Sequence, residues 1–103
     1  MIKVIRVVKQ LKQILLHKNI RISGRVQGVG FRYSARSAAS SMGISGFIRN
    51  LPNGDVYLEV EGDSAPLGDF VQWCRQGPSR AIIKFIDIYD GEVVGFEGFE
   101  VRH

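Results

Sequence analysis

Residues 20–43, IRISGRVQGVGFRYSARSAASSMG, contain the change of period that decides the fold. Ile20, Ile22, Gly24 and Val26 alternate with Arg21, Ser23 and Arg25, the two-residue repeat of a half-buried strand. Gln27-Gly28-Val29-Gly30 follows as a glycine-containing loop. Phe31, Ala35, Ala38, Ala39 and Met42 then recur at the spacing of one helical face. Gly43 stands where a helix ends in a left-handed cap.

Outward from this unit, residues 45–50 read as a short strand, and Leu51-Pro52-Asn53-Gly54 as a turn. Val56, Leu58 and Val60 alternate with Tyr57, Glu59 and Glu61, giving the second arm of a hairpin. Gly62-Asp63-Ser64 punctuates and can cap a second helix. Leu67, Phe70, Val71 and Cys74 form the apolar stripe of that helix, and Gly77-Pro78 stops it. The isoleucine-rich residues 81–89 read as a buried strand, Asp90-Gly91 as a turn, and residues 98–102 as a final strand. The order βαββαβ, with a short final strand, predicts an α+β, ferredoxin-like sandwich: an antiparallel sheet with two helices on one face.

The chain has 103 residues, a single domain's length, with 45 % hydrophobic and 23 % charged residues. These values exclude disorder and collagen-like repeats. No run approaches the ~18 apolar residues of a membrane-spanning helix. One cysteine, Cys74, excludes an internal disulfide framework and a cysteine-rich zinc site. Two histidines, His17 and His103, argue against a histidine metal centre, so no metal and no cofactor is expected.

Charge is unevenly distributed. Residues 1–19 carry +5 and no acid, whereas residues 20–103 carry −1. The pI of about 9.6 therefore belongs to the leader, which weakens the case for nucleic acid as a partner of the body. On a helical wheel Val4, Val7, Val8, Leu11, Ile14 and Leu15 share one face, opposite the basic side chains. The expected organisation is a basic amphipathic extension over residues 1–19 and a domain over 20–103. The extension would pack on its own domain, a partner or an acidic membrane surface. A strand through residues 2–8 is the alternative.

The loop before the first helix is the chemically informative place. Gly28 and Gly30 allow a sharp turn and close approach to a ligand. The following helix start offers unpaired N–H groups and a positive dipole end. Arg32 adds a cation there, and no acid lies between Arg21 and Asp55 to neutralise it. An external anion such as phosphate would resolve the conflict, and a guanidinium can bind two phosphate oxygens at once. The plain alternative is an Arg32 that points to solvent. The loop lacks the third glycine of a dinucleotide fingerprint and the Gly-Lys-Ser/Thr of a P-loop.

Gly24-Arg25-Val26-Gln27-Gly28-Val29-Gly30-Phe31-Arg32 resembles the first signature of the acylphosphatases, and Gly43-Ile44-Ser45-Gly46-Phe47-Ile48-Arg49-Asn50 resembles the second. Gly54-Asp55-Val56, Gly77-Pro78 and the ending Phe99-Glu100-Val101-Arg102-His103 are also similar, so the resemblance spans residues 20–103. It implies the ferredoxin-like fold and hydrolysis of acyl phosphates to a carboxylate and inorganic phosphate. Carried over, Arg32 binds the phosphoryl group and Asn50 orients the attacking water. The backbone amides of Gln27, Gly28, Val29, Gly30, Phe31 and Arg32 cradle the phosphate oxygens. Phe47 stands where the family usually has tryptophan, which implies a packing change only.

These roles suit the reaction. An acyl phosphate has a good carboxylate leaving group, so the protein need only hold and neutralise the phosphoryl group and aim a water. An asparagine amide both donates and accepts, so it can position water without acting as a base. Tyr33 and Ser34 lack an activating base, which argues against a covalent intermediate. Arg25, Arg49, Trp73 and Cys74 read as surface or packing residues, and His103 as a minor candidate for a general acid. Two other readings compete: a sensor that binds phosphate or acyl phosphate without catalysis, and an RNA-binding module on the same fold. A small-molecule substrate, a monomer and a cytoplasmic location are the accompanying expectations.

Overall fold

The computed structural model describes residues 14–103. Within them run β1 (Leu16–Arg25), α1 (Phe31–Met42), β2 (Ser45–Asn50), β3 (Val56–Gly62), α2 (Ser64–Gln76), β4 (Ile82–Gly91) and β5 (Phe99–Arg102). The expected extension falls mostly outside the described residues. Where the two overlap, the chain is a strand rather than a helix. β1 begins at Leu16, and Leu16 to Asn19 pair with Gly62 to Glu59 of β3. Ladders on both sides of β1 and the burial of His17 outweigh the wheel pattern seen in sequence.

The sheet order is β4-β1-β3-β2-β5. The first four strands pair antiparallel, as the period-2 runs and the Asn-Gly turn predict. β5 instead pairs parallel to β2, making the sheet mixed. The reason is the path of the chain. β4 and β5 occupy opposite edges, four inter-strand steps or about 19 Å apart. Residues 92–98 can span about 23 Å when extended, so they cross the end of the sheet, and β5 runs back alongside β2.

Alternation then sorts the side chains. Ile20, Ile22, Ile48, Val56, Leu58 and Val60 face the helices and are fully buried. Phe31, Ala35 and Ala39 of α1 and Leu67, Phe70 and Cys74 of α2 close the core from above. Trp73 packs between Phe31 and Phe70, and burial pushes the Cys74 thiol pKa up, both in keeping with packing roles. β4 departs from the sequence reading. It is an edge strand whose Ile82, Phe85 and Tyr89 are exposed, while Ile83, Ile86 and Ile88 pack against the core. Asp90 and Gly91 complete the strand rather than turn it.

On the opposite face, Glu61 fastens the crossing segment. Its buried carboxylate accepts the N–H groups of Val94, Gly95 and Phe96 at 2.5, 2.9 and 3.1 Å. His17 Nδ1 donates to Glu61 at 2.6 Å, and His17 Nε2 donates to Asn19 Oδ1 at 2.9 Å. Burial would lower the His17 pKa, but these bonds and the charges of Glu61 and Glu59 together raise it above the ordinary 6.5. Burial would raise that of Glu61, but the His17 bond and three backbone amides hold it at about 2.

Both groups make stability depend on pH, in opposite directions. The stability from His17 is complete below 6.5 and is lost as pH rises through its raised value. That from Glu61 is complete above 4.5 and is lost as pH falls towards about 2. Urea-unfolding midpoints should therefore be highest between these limits and slope down on both sides. In His17→Leu the alkaline slope should flatten and stability on the plateau should fall by about 3 kcal/mol, since Glu61 loses its buried partner.

Candidate active site

The end of the sheet opposite the crossing segment brings together the C-terminal ends of β1, β2 and β5. There, Val26, Gln27, Gly28, Gly30, Phe31, Arg32, Tyr33 and Asn50 line a cavity of about 170 Å³. Gly28 and Gly30 have φ of 73° and 77°, a left-handed conformation that side chains with a Cβ rarely adopt. Two such residues turn the chain out of β1 and directly into α1. Gly30 is the N-cap, with no side-chain cap and no acid in the first turn of the helix. The first helical bond runs from Ser34 N–H to Gly30 O, 3.0 Å. The N–H groups of Phe31, Arg32 and Tyr33 therefore precede the helical ladder, at its positive end.

Of the residues singled out in sequence, Arg32, Asn50, Gln27, Gly28, Gly30 and Phe31 line this one cavity. Val29 does not; its side chain turns into the core and is 7 % exposed. Asn50 is the last residue of β2 and is brought opposite the loop by its pairing with Val56. Arg49 alternates to the other face, where its guanidinium lies 5.7 Å from the Tyr57 ring centre. Phe47 lies on that outer face too, 3.8 Å beneath the Arg102 guanidinium and against Tyr57 and Phe96.

Three features of the site are not legible in sequence. The Gln27 side chain donates from Nε2 to the carbonyls of Leu51 and Asp55, both at 2.8 Å. It ties the loop to the turn that follows Asn50, so the two halves of the site move together. The same turn is held by Arg21, whose Nε donates to Asp55 Oδ2 at 2.7 Å and is the main cause of a lowered Asp55 pKa. Second, Arg32 Nη1 donates to the carbonyl of Arg102 at 3.2 Å and to His103 Nδ1 at 3.1 Å. The end of β5 thus fixes the guanidinium, and His103 meets it as an acceptor, without a proton on Nδ1. Third, Tyr33 is half exposed and belongs to the cavity wall. Only the position of Tyr33 beside Arg32 gives any signal; the other contacts join residues 24 to 71 positions apart.

Among the described residues the cavity wall carries Arg32 and no acidic side chain. Residues of the helix start, with Arg32 among them, line a volume of the right order for a phosphoryl group. Asn50 lines the same space.

Comparison with known proteins agrees. The acylphosphatase family model matches residues 18–101. The chain is 43 % identical over 84 residues to an acylphosphatase of Nocardioides sp., covering 82 % of this chain and 85 % of that one. The solved acylphosphatase of Coxiella burnetii superposes with a TM-score of 0.82 at 31 % identity, over 85 % of this chain and 93 % of the other. That of Bacillus subtilis gives 0.83 at 29 % identity, over 85 % and 99 %. With both signatures converging on one cavity and the family matching nearly the whole described fold, the chain belongs to the acylphosphatase family.

Proposed function

We propose that this protein hydrolyses acyl phosphates to a carboxylate and inorganic phosphate by direct attack of water on phosphorus. The observation that carries this reading is the convergence of Arg32, the loop leading into α1 and Asn50 on one small cavity, in a chain of this family. Arg32 and the backbone amides of residues 27–32 hold the phosphoryl oxygens and neutralise the charge that gathers on them in the transition state. Asn50 orients a water in line with the bond to the acyl oxygen. As the water oxygen bonds to phosphorus, the P–O bond to the acyl group breaks and the carboxylate leaves with the electron pair. The proton of the water passes to a phosphoryl oxygen, so no protein base is required.

The reaction runs without metal or covalent intermediate, and the substrate is a small molecule. The protein acts as a monomer in the cytoplasm, the location supported by its lone, buried thiol. Benzoyl phosphate hydrolysis measured with and without a chelating agent tests the reading. Turnover should be the same in both. Turnover abolished by the chelator and restored by a divalent ion would refute metal independence. Phosphate protection of a folded protein without turnover would leave the sensor.

A further inference from the structure

Arg32 and Arg36 lie one helical turn apart on α1, at its positive end. Such like-charged neighbours repel. No Asp or Glu occurs between Arg21 and Asp55, and among the described residues no carboxylate pairs with Arg36. The Arg36 guanidinium instead rests over the ring of Tyr33, 5.2 Å from its centre. Tyr33 is 50 % exposed and lines the phosphoryl cavity. The second cation is therefore held by an aromatic platform that is itself part of the site wall.

We propose that Tyr33 and Arg36 form the subsite for the acyl group, selecting acyl phosphates whose acyl group carries a second negative charge. The Tyr33 ring backs the acyl chain, and Arg36 pairs with the distal anion. Side chains at this spacing are about 5–6 Å apart at Cβ, so the second anion stands roughly one helical turn from the phosphoryl group. The proposal rests on the hydrolytic reading above and adds the class of substrate.

The test compares benzoyl phosphate with 3-carboxybenzoyl phosphate, a rigid pair differing by one carboxylate at about this distance. The readout is the ratio of kcat/KM for the charged over the uncharged compound. In Arg36→Gln the ratio should fall about fivefold, the scale of one solvent-exposed ion pair, with the change lying in KM. Arg36→Glu should push it lower still, and Arg36→Lys should retain most of it. Tyr33→Ala should lower the ratio through loss of the platform. A ratio unaltered in both Arg36→Gln and Arg36→Glu, while benzoyl phosphate is still hydrolysed, would overturn the subsite alone. Failure of the unaltered protein to hydrolyse either compound would overturn the hydrolytic reading and the subsite with it.

Discussion

Arg32→Ala should lower kcat/KM for benzoyl phosphate about a thousandfold, equivalent to ~4 kcal/mol of transition-state stabilisation. Arg32 lines the cavity from the first turn of α1, and its guanidinium is tied to the Arg102 carbonyl and His103. In the proposed mechanism it meets a forming phosphoryl transition state already oriented, which makes its charge count for more than in water. Fold stability should change little. An unneutralised cation at a helix N-terminus costs about 0.3–1 kcal/mol, and its removal offsets the loss of the exposed hydrogen bonds to Arg102 and His103. Inorganic phosphate should raise the Tm of the unaltered protein, by the equivalent of about 2.7 kcal/mol at a hundredfold excess over Kd. The variant should lose that shift. A variant that still binds phosphate, with turnover within tenfold, would remove Arg32 from the site.

Asn50→Ala should separate binding from turnover. In the proposed mechanism the asparagine holds the attacking water, so its loss should reduce kcat about a hundredfold, ~2.7 kcal/mol, while the phosphate-induced Tm shift persists. Its position at the end of β2 depends on the turn that Gln27 and Arg21 hold, so folding of the variant is checked by its urea midpoint. Asn50→Asp is a sharper form of the same test. It keeps the size and one acceptor but brings an anion towards the phosphoryl group, so both phosphate binding and turnover should fall. An Asn50→Ala protein with normal kcat would end the water-positioning role and leave a phosphate-binding module.

The contrast between these residues and the rest shows what a sequence carries. Residues 20–25 of β1, α1 and β3 are legible because each has a clean period, and β2 because it lies between a helix-ending glycine and an Asn-Gly turn. The glycine pair and Arg32 stand out because a cation at a helix start has no local justification. Residues 16–19 mislead because they follow directly on the helical spacing of the basic extension, and their strand pairing depends on β3, some forty residues away. The edge position of β4 and the parallel pairing of β5 are hidden for a related reason. Strand order is a property of the assembled sheet, and an isoleucine-rich run looks alike at its centre and its edge. His17 and Glu61 illustrate the same limit. Glu61 looks like an ordinary strand residue facing water, and His17 like part of the helical extension, until the crossing segment covers them.

Hydrolysis of benzoyl phosphate in ¹⁸O-labelled water distinguishes directly between attack at phosphorus and attack at the carbonyl carbon. In the proposed mechanism Arg32 and the loop amides hold the phosphoryl group and Asn50 aims the water, so the label should appear in inorganic phosphate and not in benzoate. Label in the benzoate would mean that water attacks the acyl carbon, and neither phosphoryl binding by Arg32 nor water positioning by Asn50 could then explain turnover.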